Sequence, residues 1–109
     1  MNLLEDPRRM APSLSRGMAF VYILQLRSGV LYVGCSTDCE ARFREHEAGT
    51  ACRTTALDPP LTLRFVEIHP DFVTARRREP QLKKWSRAKK EALIKGDLAR
   101  LQALSRSHD

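Results

Sequence analysis

The fold turns on Phe20 to Gly34, F-V-Y-I-L-Q-L-R-S-G-V-L-Y-V-G. Both flanks are rich in Val, Ile, Leu and aromatic residues, the composition of strands. Between them Arg27-Ser28-Gly29 is a natural three-residue hairpin loop with glycine at the left-handed position. Leu26 then faces Val30, Tyr22 faces Gly34 and Tyr32 faces Leu24. Because strand side chains alternate sides, this register puts Tyr22 and Tyr32 on one face, whereas a two-residue loop would part them. Taken alone, the stretch reads equally well as an ordinary hairpin with aromatic core residues.

Downstream, Cys35-Ser36-Thr37-Asp38 is a polar turn offering Thr37 or Asp38 as a helix cap. The segment C-E-A-R-F-R-E-H-E, closing at Ala48-Gly49, predicts a short amphipathic helix. Cys39, Phe43 and His46 form its buried stripe, and Arg42, one turn before His46, lies on the stripe's flank. Thr50 to Pro60 is expected to be an irregular surface loop bordering a groove. Leu61 to Ile68 reads as a third strand, which joins the hairpin sheet after the helical crossover.

Asp71 caps a helix beginning near Phe72, with Phe72, Ala75, Glu79 and Leu82 on one stripe. A carboxylate on a core-facing stripe must be protonated, paired or bound to a metal, because burying it bare costs several kcal/mol. Pro80 predicts a kink at Glu79-Pro80. Ser86 caps a further helix through Ile94, and Gly96-Asp97 breaks before a last helix near Leu98 to Leu104. Residues 1–17 show no sustained period and are expected to be a loosely attached leader, with Met18 an alternative start. His69 and His108 read as a loop and a tail residue without evident function.

With 109 residues, the chain is long enough for one domain with its own core. Its net charge of +6 suits a partner carrying phosphates. Residues 76–100 hold ten Lys/Arg against three Asp/Glu, so the basic surface belongs to the C-terminal helices; the plainer reading is a solvated helix face. No apolar run is long enough to span a bilayer and no signal peptide is evident, so a cytoplasmic location without membrane partners is expected. Three cysteines, Cys35, Cys39 and Cys52, fit a reducing compartment. Together with His46 they lack the tight paired spacing of a zinc site, and a zinc-binding adaptor is the least favoured reading.

Taken in order, these pieces resemble the GIY-YIG endonuclease domain, in its small stand-alone bacterial branch, over roughly Met18 to Lys95. Phe20-Val21-Tyr22 stands in the place of the first tripeptide and Tyr32-Val33-Gly34 in that of the second, followed by Arg42, His46 and Glu79. The stretch Q-L-K-K-W-S-R-A-K-K-E-A-L-I is similar to the basic tail of that branch. Residues 96–109 would form an appended helix and tail.

The resemblance implies an α/β fold, a three-stranded antiparallel sheet flanked by helices, that hydrolyses DNA phosphodiesters with one divalent ion, Mg²⁺ or Mn²⁺. It implies that Glu79 binds the ion, that Tyr22 or Tyr32 activates water or holds its network, and that Arg42 neutralises the scissile phosphate. His46 would assist proton transfer or position Tyr32, and Tyr22, Tyr32 and His46 all stay open as the base. Arg76, Arg77, Lys83, Lys84, Arg87, Lys89 and Lys90 would contact the backbone phosphates. The expected setting is DNA repair, recombination or processing of branched, damaged or single-stranded DNA.

The alternative is a nucleic-acid-binding module that keeps the fold and the basic C-terminal helices while its chemistry has decayed; for Arg42 and Glu79 the plainer reading is a buried ion pair bridging two helices. Three departures stand out. Phe20 replaces the first glycine, Cys35 stands where the repair subunit of the family carries a basic residue, and Pro80 directly follows the proposed metal ligand.

Overall fold

A computed structural model describes residues 17–106. The leader expected over residues 1–17 falls almost wholly outside the described residues, as does His108. Strands β1 (Ala19–Leu26) and β2 (Leu31–Ser36) form the hairpin, followed by helices α1 (Cys39–Ala48) and α2 (Arg53–Leu57). Strand β3 (Pro60–His69) is succeeded by α3 (Phe72–Lys84), α4 (Arg87–Lys95) and α5 (Leu98–Arg106). The sheet is antiparallel with order β2-β1-β3, so the hairpin's first strand is central and β2 is an edge.

The hairpin has the register its loop demands. Tyr22 pairs with Gly34 and Leu24 with Tyr32. The Leu26 amide donates to Val30 O at 2.9 Å and the Gly29 amide to Leu26 O at 2.9 Å, with Gly29 at φ 96°, where a side chain would be strained.

Alternation then sorts the core into two layers. Val21, Ile23 and Val33 pack with Ala75 and Leu82 of α3 on one face, while Phe20, Tyr22, Leu24 and Leu26 pack with Cys39 and Phe43 of α1 on the other. Val21, Ile23 and Leu82 are fully buried, each stabilising the fold by about 1.5–3 kcal/mol. Register shifts between Ile23/Leu24 and Gln25/Leu26 skip Arg64 and Leu61 on β3, which returns Leu63 to the tyrosine face opposite Leu24.

Helix α1 starts as its sequence specifies, with Asp38 Oδ1 accepting from the Ala41 amide at 3.1 Å, and ends at Gly49 with φ 78°. Asp71 caps α3 in the same way, at 2.8 Å from the Thr74 amide. Two expectations give way here, at Thr50 to Pro60 and at Phe72. The segment from Thr50 to Pro60 contains a helical turn, α2, that buries Thr55 completely. Helix α3 is continuous through Pro80, the position where the kink is expected. Phe72 is 41% exposed, its ring covered by the Arg76 guanidinium at 5.8 Å instead of by the core. A residue in the first turn of a helix can project beyond the sheet, so stripe membership did not guarantee its burial.

Candidate active site

The site is assembled where α1 and α2 cover the tyrosine face of the hairpin. His46, fully buried at the end of α1, holds Tyr22 Oη at 2.8 Å from Nε2 and Thr55 Oγ1 at 2.8 Å from Nδ1. Both tyrosine rings meet the imidazole edge-on, at centroid distances of 5.8 Å for Tyr22 and 5.3 Å for Tyr32. Tyr32 Oη lies 3.3 Å from Cys52 Sγ, and that sulfur is 3.4 Å from Thr55 Oγ1.

The two tyrosines occupy different environments. Tyr22 is 3% exposed; burial pushes its phenol far above the usual range, against the pull of the hydrogen bond and charge of Arg42. Tyr32 is half-buried and is pushed up to about 12, by burial first and then by its hydrogen bond to Cys52. Burial lowers His46 to about 4, with the Arg42 charge acting in the same direction, so the ring is neutral at pH 7. At Cys52 burial disfavours the thiolate, but hydrogen bonds from Thr55 and Tyr32 and from backbone amides outweigh it and bring the thiol below its ordinary value.

Arg42 pairs with Glu45 on its own helix at 2.9 Å, and Glu79 pairs with Lys83 on its own helix at 3.0 Å. The buried Arg42–Glu79 pair that a purely structural role would require is therefore not formed. Glu79 does not stand over the tyrosine face. It rises from α3 on the opposite face, where Cys35 Sγ donates to its Oε1 at 3.2 Å, on the side of the edge strand β2 away from the Tyr32 ring. Because β2 is an edge, the carboxylate sits at the rim of the site, and its charge helps to hold up the Tyr32 phenol. Strand parity explains the placement: Cys35 shares a face with Val33, and Tyr32 does not.

One carboxylate, Glu79, is of the type a hard divalent ion takes, with its oxygens engaged by Cys35 and Lys83. Mg²⁺ keeps most of its waters and needs one or two carboxylates besides substrate phosphates, and Glu79, about one-fifth exposed, is such a carboxylate. A structural zinc site is a poor fit, because the candidate ligands diverge. Cys35 faces Glu79, Cys39 is buried in the apolar cluster with Phe43, Cys52 lies beside Tyr32, and both His46 nitrogens are engaged. No group of three or more His, Cys, Asp or Glu side chains converges among the described residues.

The seven basic residues expected to contact phosphates separate into two sets. Arg76, Arg77, Lys83 and Lys84 are exposed along α3, and Arg76 and Lys83 both act electrostatically on Cys35 beside Glu79. Lys90 is half-buried, and Arg87 is tied to the Gly29 carbonyl and to Glu91. Lys89 is 7% exposed, with Nζ 4.3 Å from the Trp85 ring centroid, so it packs within the fold and does not form part of the outer surface. Thr55 and Cys52 are the site residues that linear spacing did not expose. Both lie in the segment expected to be an irregular loop, and nothing in the sequence separates the buried Thr55 from its exposed neighbour Thr54.

A small antiparallel sheet flanked by helices, with two tyrosines, a histidine and an arginine on one face and a carboxylate at its edge, is the arrangement of a GIY-YIG domain. The family model described as the GIY-YIG catalytic domain matches residues 18–92, and the chain belongs to this family. It is 41% identical to a UPF0213 protein of Halobacterium salinarum over 77 residues, 71% of this chain and 100% of that one. A UPF0213 protein of Xanthomonas campestris is 39% identical over 89 residues, covering 82% of this chain and 86% of that one. A solution structure of a UPF0213 protein from Bacillus halodurans is 33% identical, with a TM-score of 0.46, over 72% of this chain and 83% of that one. The family is one of nucleases that commonly use divalent ions, while the relatives' names state no activity. No helix among the described residues is long and apolar enough to cross a membrane.

Proposed function

We propose that the chain is a divalent-metal-dependent endonuclease acting on DNA phosphodiesters, with residues 18–95 as the catalytic domain. The observation that carries this reading is the convergence of Tyr22, Tyr32 and Arg42 around a buried neutral His46, with Glu79 at the rim and exposed cations beside it. Phosphodiester hydrolysis requires an activated water, relief of negative charge on the phosphate and help for the leaving oxygen.

Exposure sorts the roles. His46 and Tyr22 are sealed from solvent and bonded to each other, so neither meets the attacking water; they form the floor of the site. Tyr32 is the more open phenol and faces the water. With its phenol near 12 it can act as a base only as the phenolate, after cations beside it favour loss of its own proton, and the Arg42 charge already acts in that direction. Arg42, about one-third exposed, reaches the scissile phosphate. Held by Glu79, Mg²⁺ or Mn²⁺ would neutralise charge on a phosphate oxygen and acidify its bound water. Arg76, Arg77 and Lys84 then position the duplex or single strand through its phosphates. The proposed setting is repair, recombination or processing of branched, damaged or single-stranded DNA in the cytoplasm.

The test is nicking of plasmid and of single-stranded DNA with Mg²⁺, Mn²⁺ or EDTA, by wild type, Glu79→Ala and Tyr32→Phe. Cleavage by wild type alone, abolished by EDTA, is expected. A wild type as inert as Glu79→Ala, with both binding DNA in a salt-sensitive manner, would point to the second reading, a binding module. One observation favours that second reading: both Glu79 oxygens are already engaged, by Cys35 and by Lys83.

A further inference from the structure

Four contacts on the tyrosine face join end to end. Tyr22 Oη meets His46 Nε2 at 2.8 Å, His46 Nδ1 meets Thr55 Oγ1 at 2.8 Å, Thr55 Oγ1 meets Cys52 Sγ at 3.4 Å, and Cys52 Sγ meets Tyr32 Oη at 3.3 Å. We propose that Thr55 and Cys52 are positioning residues that close one directed hydrogen-bond chain between the two tyrosine hydroxyls, fixing the His46 tautomer and the orientation of the Tyr32 hydroxyl. The inference rests on the nuclease reading only for its kinetic consequence.

Counting protons gives the chain its direction. A neutral imidazole carries one donor and one acceptor, and a hydroxyl has a single proton. Tyr22 is buried and its hydroxyl has one hydrogen-bond acceptor within reach among the described residues, His46 Nε2, so the Tyr22 proton must go there. Nε2 is therefore the unprotonated nitrogen and Nδ1 carries the hydrogen, which it donates to Thr55 Oγ1. With its oxygen accepting from His46, Thr55 directs its own proton to Cys52 Sγ. The sulfur and Tyr32 oxygen share the last link.

Every polar atom of the chain is satisfied in this arrangement, as expected in a cluster where no buried side-chain N or O among the described residues lacks a partner. Reversing it would strand the Tyr22 proton. The chain also explains why Thr55 is fully buried on a five-residue helix that otherwise exposes most of its side chains. Thr55 supplies what a valine of the same shape would lack, an oxygen that accepts from the imidazole while donating to sulfur. Cys52 links α2 to β2 through Tyr32, so the hydroxyl proposed to face the attacking water is oriented by a segment distant in sequence from either tyrosine.

The test combines ¹⁵N chemical shifts of the His46 ring in the full chain with DNA-cleavage kinetics of Thr55→Val, Thr55→Ser, Cys52→Ala and Cys52→Ser. Wild type should show His46 as the Nδ1–H tautomer, and Thr55→Val should shift the ring signals toward the other tautomer or a mixture, while Thr55→Ser retains the wild-type pattern. Thr55→Val and Cys52→Ala should lower kcat by about 10- to 100-fold with KM little changed, and each serine variant should recover most of the loss. An Nε2–H tautomer in wild type overturns the proposal. So do His46 signals in folded Thr55→Val that match wild type. A wild type without nuclease activity sinks the nuclease reading, and the ring signals still decide the chain.

Discussion

Replacing Gly34 with alanine tests the central packing contact of the site. A Cβ built on Gly34 would lie 2.4 Å from Tyr22 Oη, 2.5 Å from its Cζ and 2.8 Å from its Cε1, all far inside van der Waals contact. Gly34 is not among the glycines at positive φ, so its backbone accepts alanine and the effect isolates the side chains. In a strand the substitution would otherwise stabilise by roughly 0.5–1 kcal/mol. Against that gain, Tyr22 is 3% exposed and walled in by Phe43 and Leu24, so moving its ring costs about 1–3 kcal/mol of overpacking. The displaced hydroxyl leaves His46, a buried bond whose loss costs about 1–3 kcal/mol.

The net expectation is a loss of roughly 2–4 kcal/mol, or a Tm lower by about 10–25 °C for a domain of this size. Urea denaturation followed by circular dichroism measures it, with the m value unchanged. In a Tyr22→Leu background the clashing atoms are gone, so the same substitution should cost less than about 1 kcal/mol. Stability of Gly34→Ala within about 0.5 kcal/mol of wild type, or an equal penalty in both backgrounds, would refute the contact.

Acid should weaken the fold through His46. Its folded pKa of about 4 lies below the ordinary 6.5, so the unfolded chain binds more protons between those values. The contribution is fully present above about pH 6.5 and is lost as pH falls toward 4, on the order of 3 kcal/mol in all; urea midpoints across that window, flattened in His46→Gln, measure it. Removing Arg76, Arg77 or Lys84 singly should weaken DNA binding on every sequence and reduce the log–log salt slope by about 0.9 each on duplex, measured by fluorescence anisotropy. Lys83→Met should free one Glu79 oxygen and tighten Mn²⁺ binding by about two- to fivefold, the value of a half-exposed ion pair, read by calorimetry; unchanged affinity would place the ion elsewhere. Gly29→Ala, at φ 96° with open space around it, should cost about 1 kcal/mol from backbone strain alone, and equal thermal stability would argue against that turn.

The sequence by itself determined what depends on neighbours along the chain. A loop of three residues fixes hairpin register, so the shared face of Tyr22 and Tyr32 followed from Arg27-Ser28-Gly29. Helical period placed Cys39, Phe43 and His46 on one buried stripe, and cap chemistry located both ends of that helix. Only the tertiary structure decided which distant groups complete the site. Thr55 and Cys52 enter because α2 folds down onto His46, a placement that residues remote in the chain impose. Glu79 reaches the rim from the far side of the sheet because its strand contact, Cys35, has the opposite parity to Tyr32. Lys89, one more positive charge in a basic run, is buried by the Trp85 ring. Local periodicity tells which side of an element a residue occupies; it cannot tell what is packed against that side, and here that difference separates a pair of tyrosines from a candidate active site.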